Sequence, residues 1–188
     1  DARVAFADFR SDPETHPLET PSGKIELFSG AMHDRGDPDT IPAIPKYIQE
    51  WESPFGPEAE RFPLQAIASH SMARVHSTHE NVDWLRDAFP QRLFVNPLDA
   101  EARGLTDGDV VRVFNDRGVV LVPCRVTSRI MPGVVNLPQG AWWTPDESGT
   151  CTRGSINVLT SEQWTPFTFG AALQTVMVEV ATAGRSGS

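Results

Sequence analysis

Short apolar runs, each closed off by Gly, Pro, Asn or Asp, crowd the second part of this chain and are sparse in the first. Residues 62–68, 92–95, 110–114, 119–126, 134–137 and 175–181 are such runs, rich in Val, Leu, Ile and Phe, and they predict strands. Val82, Leu85, Ala88 and Phe89 instead recur at helical spacing, and Ser77-Thr78-His79-Glu80 ahead of them has the form of a capping box, so a helix is expected to start at about Ser77. A second helix is expected from Asn96-Pro97-Leu98-Asp99, with Asn as cap and Pro at the first helical position. It should stop at Gly104, a residue suited to a left-handed C-cap. Asn115-Asp116-Arg117-Gly118 joins two strands as a hairpin, read as a type I turn with Gly118 left-handed. Both strands carry runs rather than clean alternation, which predicts burial on both sides or closure into a barrel.

The pattern divides the chain into a leader (residues 1–29), a connecting arm (30–61), a compact β-domain (62–181) and a small polar tail (182–188) expected to be disordered. The leader shows a turn at Thr20-Pro21-Ser22-Gly23 followed by a short strand at 24–28. The arm is rich in Pro, Asp and Gly, with Trp51 and Phe55 as expected anchors. The fold class expected from the pattern is mainly β with short helices, a barrel-like domain carrying an extended N-terminal arm.

Composition narrows the partners. At 188 residues the chain can bury an ordinary core, and a net charge of −9 argues against general nucleic-acid or anionic-membrane binding. It leaves room for a small anionic ligand held by a few focused cations. No apolar run reaches the roughly 20 residues of a membrane span. The polar start at Asp1 has no signal-peptide pattern and reads as a piece of something larger. Cys124 and Cys151 are too few for an iron–sulfur cluster, and Cys124 reads as a packed thiol.

Candidate chemistry concentrates between a strand and a helix. Ser69, His70, Ser71, Arg74, His76, Ser77 and Thr78 follow one another there, and such a cationic elbow at a helix start could hold a phosphate or diphosphate. The plainer reading is a capped helix after a polar loop, its histidines satisfied by the backbone. A Glu80 folded back on the cap would oppose an anion. Further on, Gln139-Gly140-Ala141-Trp142-Trp143 sets two indoles beside a glycine, to pack or to wall a pocket for a planar ligand. Asn157, between Ile156 and Val158, is either a turn-stabilising amide or a ligand donor and acceptor, and Gln174 lies at the rim of the closing strand. A hydrolase built on Ser71 or Ser77 with His70 or His76 lacks a Gly-x-Ser-x-Gly elbow. A β-barrel interaction module without cofactor, using the Pro-rich arm as its contact, is the other alternative.

Taken in order, Pro21-Ser22-Gly23-Lys24-Ile25-Glu26, Arg74-Val75-His76-Ser77-Thr78, Asn96-Pro97-Leu98-Asp99-Ala100, Phe114-Asn115-Asp116-Arg117-Gly118, Gly140-Ala141-Trp142 and Ile156-Asn157-Val158-Leu159-Thr160 closely resemble a stretch of the molybdopterin oxidoreductase family. That stretch is the C-terminal molybdopterin-dinucleotide-binding domain of anaerobic dimethyl sulfoxide reductase catalytic subunits. The resemblance implies a double-psi β-barrel (aspartate-decarboxylase-like) that binds molybdopterin guanine dinucleotide and is not catalytic alone. It further implies a molybdenum ligand and iron–sulfur cysteines on upstream domains, an iron–sulfur electron-transfer subunit with a membrane anchor as partners, and a bacterial enzyme exported to the outer face of the cytoplasmic membrane. By the same resemblance Ser69, His70, Ser71, Arg74, His76, Ser77 and Thr78 wrap the pterin and diphosphate. Asn157 and Gln174 lie near the pterin, and Gln139 and Gly140 face the cofactor cleft. The pattern departs at Arg153-Gly154, where several relatives carry Gly-Gly.

Overall fold

In the computed structural model, which describes residues 3–171 and 174–184, the β-branched runs become strands wherever a neighbour is available to pair with them. The chain forms two compact units, Asp1–Ile48 and Gln49–Ser188. In the first, α1 (Ala7–Ser11) and α2 (Gly30–Arg35) are short; the Ser29 hydroxyl accepts the Met32 N–H at the start of α2, and Gly36 ends it at φ 75°. The Thr20–Gly23 turn forms, the Gly23 N–H donating to the Thr20 carbonyl at 2.9 Å. The strand expected at 24–28 does not. Its backbone has no ladder partner among the described residues, and Leu27 stays 79% exposed.

The second unit contains β1 (Leu64–Ile67), α3 (Asp83–Ala88), β2 (Leu93–Val95), α4 (Pro97–Ala102), β3 (Val110–Asn115), β4 (Gly118–Val126), β5 (Val134–Asn136) and β6 (Val176–Thr182). The strands close into a barrel in the order β1-β5-β2-β4-β3-β6, as the β-rich reading expects. Two pairs, β1 with β5 and β2 with β4, are parallel and the rest antiparallel, an arrangement compatible with a double-psi barrel. Burial alternates along β3 and β4, so the inward positions, among them Val111, Val113, Val120 and Val122, join Leu93 and Val178 in one core. Of the expected tail, Thr182 is the last residue of β6, and residues 185–188 lie outside the described residues.

Local chemistry explains the helices. Asn96 caps α4, its side-chain oxygen accepting the Leu98 N–H at 2.9 Å, with Pro97 in the first turn and Gly104 beyond the end at φ 63°. The helix expected from Ser77 begins only at Asp83, capped by Val82 without a side-chain bond. Residues 75–78 form a tight bridge instead, and His76 and His79 take left-handed φ values of 53° and 75°, which no α-helix accommodates. Gly118 likewise differs from expectation. It has no positive φ, and a side chain there would sit 2.6 Å from a Val158 methyl, so close approach is what demands glycine.

Cys124 is buried in β4, its sulfur 3.1 Å from the Thr106 carbonyl. Burial pushes its thiol above the ordinary value, helped by the charges of Asp109 and Asp107 and opposed by the Gly108 and Asp109 backbone N–H groups. A thiol raised in the folded state contributes stability that is complete below the unfolded thiol's value, near pH 8.5, and lost as pH rises through the folded one. Urea midpoints should therefore fall as pH rises above about 8.5, and Cys124→Ala should flatten that fall.

Candidate functional site

Topology gathers one set of loops at one end of the barrel. Because β1 and β5 run parallel, residues following both emerge on the same side; the antiparallel partners place there the entries to β2 and β6 and the β3–β4 turn. Residues 68–80, 91, 115–118, 137–142 and 174 share that end in consequence.

The stretch after β1 is tied to the sheet by side-chain and backbone bonds alike. The Gln174 amide caps Ala68 on both sides, its oxygen accepting the Ala68 N–H at 2.9 Å and its nitrogen donating to the Ala68 carbonyl at 3.1 Å. Asn136 Oδ1 accepts the Ser69 N–H at 3.2 Å, and the Ser69 carbonyl accepts the Gln139 N–H at 2.9 Å. Ser71 Oγ accepts from Ala73, Thr78 N–H donates to Val75, and the His70 and His76 rings meet edge to face at 5.0 Å. His70, His76, Ser77 and Thr78 are exposed.

Arg74 is placed differently from expectation. Its side chain is only 6% exposed and turns inward, Nη1 donating to Glu80 Oε2 at 2.6 Å and Nη2 to Gln91 Oε1 at 2.7 Å and the Gln139 carbonyl at 3.1 Å. Glu80 is not folded onto a helix start. It is 2% exposed and also takes Arg153 Nη2 at 2.8 Å, while its carbonyl accepts Arg86 Nη1 at 3.1 Å. One buried carboxylate thus serves two guanidinium groups, which removes both of the features that favoured an anion at a helix end: the helix starts later, and Arg74 is already paired. Arg74 Nε, buried and without a partner, is the exception.

Gly140 lets the two loops meet. At φ 95° it lies so close to the elbow that a Cβ would fall 1.8 Å from the His76 carbonyl oxygen and 3.4 Å from Arg74 Nε. Just beyond, the Trp142 indole N–H donates to the Ser77 carbonyl at 2.9 Å. Trp142 and Trp143 are exposed, so they wall a surface rather than fill the core. With Ser77, Arg117, Ser155 and Asn157 they line an open cleft of about 670 Å³. Asn157 is exposed in the Ile156–Val158 3₁₀ turn, its carbonyl accepting the Thr160 hydroxyl at 3.1 Å.

The structure therefore brings Ser77, Asn157 and the loop after Gln139 and Gly140 to one cleft, sets His70, His76 and Thr78 on the elbow beside it, and commits the side chains of Arg74 and Gln174 to other parts of the protein. Reading the residues alone missed Arg117, which lines the cleft while paired with Glu52 at 2.8 Å, and Gln91. Arg117 stood in a turn motif and read as a turn. No local signal marks Gln91. Among the described residues no group of acids, histidines and cysteines could hold a metal ion, and no helix is long and apolar enough to cross a membrane.

Fold and site together define a small β-barrel domain with an open, loop-lined cleft at one end. Residues 64–177 match the molydopterin dinucleotide binding domain, and the chain belongs to that family. It is 43% identical over 184 residues to dimethyl sulfoxide reductase DmsA of Haemophilus influenzae and 45% identical over 183 residues to DmsA of Escherichia coli, covering 95% and 94% of this chain. Over 186 residues it is 39% identical to a dimethyl sulfoxide/trimethylamine N-oxide reductase of Cereibacter sphaeroides, covering 94% of this chain. It spans only 22–23% of the length of these bacterial relatives. Among solved structures, acetylene hydratase from Pelobacter acetylenicus shares the fold, with a TM-score of 0.73 at 20% identity over 91% of this chain and 25% of that one.

Proposed function

We propose that this chain is the C-terminal cofactor-binding domain of a molybdenum-dependent S-oxide or N-oxide reductase catalytic subunit, and that its cleft and elbow receive the pterin and diphosphate parts of molybdopterin guanine dinucleotide. The observation that carries this reading is the convergence of Ser77, Arg117, Trp142 and Asn157, far apart in sequence, on one cleft in a dinucleotide-binding family. The donor set suits such a ligand. Asn157 offers an amide donor and acceptor to a ring edge, the indoles offer flat apolar faces, and Arg74 Nε keeps a buried donor beside Gly140.

In this reading Ser69, His70, Ser71, His76, Ser77, Thr78, Gln139, Gly140 and Asn157 contact the cofactor, while Arg74 and Gln174 act mainly by holding the elbow in place. When bound, the group supplies the redox chemistry at molybdenum, and these residues bind, orient and shield it. The metal ligand and any iron–sulfur cluster belong to other domains, residues 62–181 form the binding barrel, and residues 1–29 and 30–61 are the leader and connecting arm. The partners would be upstream domains of the same subunit, an iron–sulfur electron-transfer subunit and a membrane anchor, in an enzyme facing outward from the cytoplasmic membrane.

The test is made on the complete subunit that carries this chain, with bound cofactor quantified after release as its fluorescent oxidised pterin. Asn157→Ala is expected to weaken cofactor binding about tenfold, the scale of one or two lost hydrogen bonds, without unfolding the barrel. The chain of 188 residues by itself should turn over no S-oxide. Undiminished cofactor binding in Asn157→Ala, or turnover by the isolated chain, would overturn the proposal.

A further inference from the structure

Gln91 lies in the short connection between α3 and β2, outside every motif the sequence displays, yet its amide is the junction of three loops. Its oxygen accepts Arg74 Nη2 at 2.7 Å, and its nitrogen donates to the Pro138 carbonyl at 2.7 Å and the Gly154 carbonyl at 3.0 Å. Each bonded group stands just before a segment that lines the cleft: Arg74 before Ser77, Pro138 before the loop that ends in Trp142 and Trp143, and Gly154 before Ser155 and Asn157. The junction is packed as closely as it is bonded. Gly154 takes φ 75°, and a Cβ on it would fall 2.7 Å from Gln91 Cγ, so only glycine admits the amide at this distance.

The same network continues through Arg74 to Glu80 and from Glu80 to Arg153. Two backbone carbonyls and a guanidinium are therefore served by a single half-buried side chain. If that side chain could not donate, the Pro138 and Gly154 carbonyls would have to find water or move apart, and either outcome loosens two walls of the cleft at once.

We infer that Gln91 is a positioning residue for the cofactor cleft: without touching the ligand, it sets the spacing between the elbow, the tryptophan loop and the Asn157 segment, and so controls how tightly cofactor is held. The inference rests on the cofactor reading given above and adds to it a residue that neither the motifs nor the cleft lining includes. A preformed cleft loses affinity when its walls must be ordered at the moment of binding, even with every contacting group intact.

The test compares Gln91→Met and Gln91→Glu with Val180→Ala, a core truncation remote from this junction, in the complete cofactor-loaded subunit. Met fills the volume and makes none of the bonds. Glu has the size of Gln and keeps the Arg74 contact but cannot donate to the two carbonyls, so it remains informative if Gln91→Met does not fold. Cofactor release is timed well below the melting temperature of every variant, and amide hydrogen exchange is followed across residues 139–142 and 155–158. Both Gln91 variants are expected to release cofactor at least tenfold faster than Val180→Ala of equal or lower melting temperature, with faster exchange confined to those two segments. Release that merely follows melting temperature across all three variants would overturn the inference while leaving the cofactor reading in place. A wild-type subunit that retains no cofactor would sink both.

Discussion

Glu80→Ala is expected to lower the unfolding free energy by about 3–5 kcal/mol, because it leaves the buried Arg74 guanidinium without its carboxylate. The carboxylate is 2% exposed and its partner Arg74 only 6%, so neither charge has water to turn to. Removing one member of a buried ion pair costs far more than the pair adds over a well-packed apolar substitute, since the buried partner, here Arg74, stays desolvated without its counter-charge, whereas Arg153 at 28% exposure can turn to water. Against a typical total of about 5–15 kcal/mol this is a large share of the domain's stability. Glu80→Gln should cost less, because its amide oxygen can still accept one guanidinium N–H. Urea denaturation of the three proteins measures the order, and a Glu80→Ala midpoint within error of wild type would contradict it.

Gly140→Ala is expected to cost about 3 kcal/mol, by two additive routes. A φ of 95° is strained for any residue with a side chain, and the added methyl would overlap the His76 carbonyl oxygen, which belongs to backbone and cannot rotate aside. The elbow and the tryptophan loop would have to separate, which also pulls the Trp142 indole from the Ser77 carbonyl. The signature is therefore local as well as global: a lower melting temperature together with a shift in Trp142 fluorescence toward that of a more hydrated indole. A variant that melts like wild type with unchanged fluorescence would show that the loops do not meet at Gly140.

These two residues illustrate what could be read from the chain and what could not. The strands of the barrel were legible because β-branched runs between turn residues are local signals, and the Asn96 cap with Pro97 behind it marked α4 for the same reason. The elbow was legible as a concentration of His, Ser and Arg. Its internal charge balance was not. Ser77-Thr78-His79-Glu80 satisfies the capping pattern, but the partners that claim Glu80 are Arg74 and Arg153, the latter 73 positions away. Gly118 was correctly a turn glycine for a mistaken reason, since Val158, which demands it, comes from a distant turn. Lys24-Ile25-Glu26-Leu27-Phe28 looked like a strand because propensity is local, whereas a ladder needs a neighbour. Gln91 had no signature at all, as a hydrogen-bonding junction is defined by what folding brings to it.

The closing of the barrel also sets an order of events. β6 pairs with both β1 and β3, so until residues 176–182 have been synthesised those two strands carry unpatched edges. Without residues 176–182 the order β1-β5-β2-β4-β3 would be an open sheet, its β1 and β3 edges exposed to edge-to-edge association. A chain cut short before Val176 would consequently become a self-associating sheet rather than a smaller barrel.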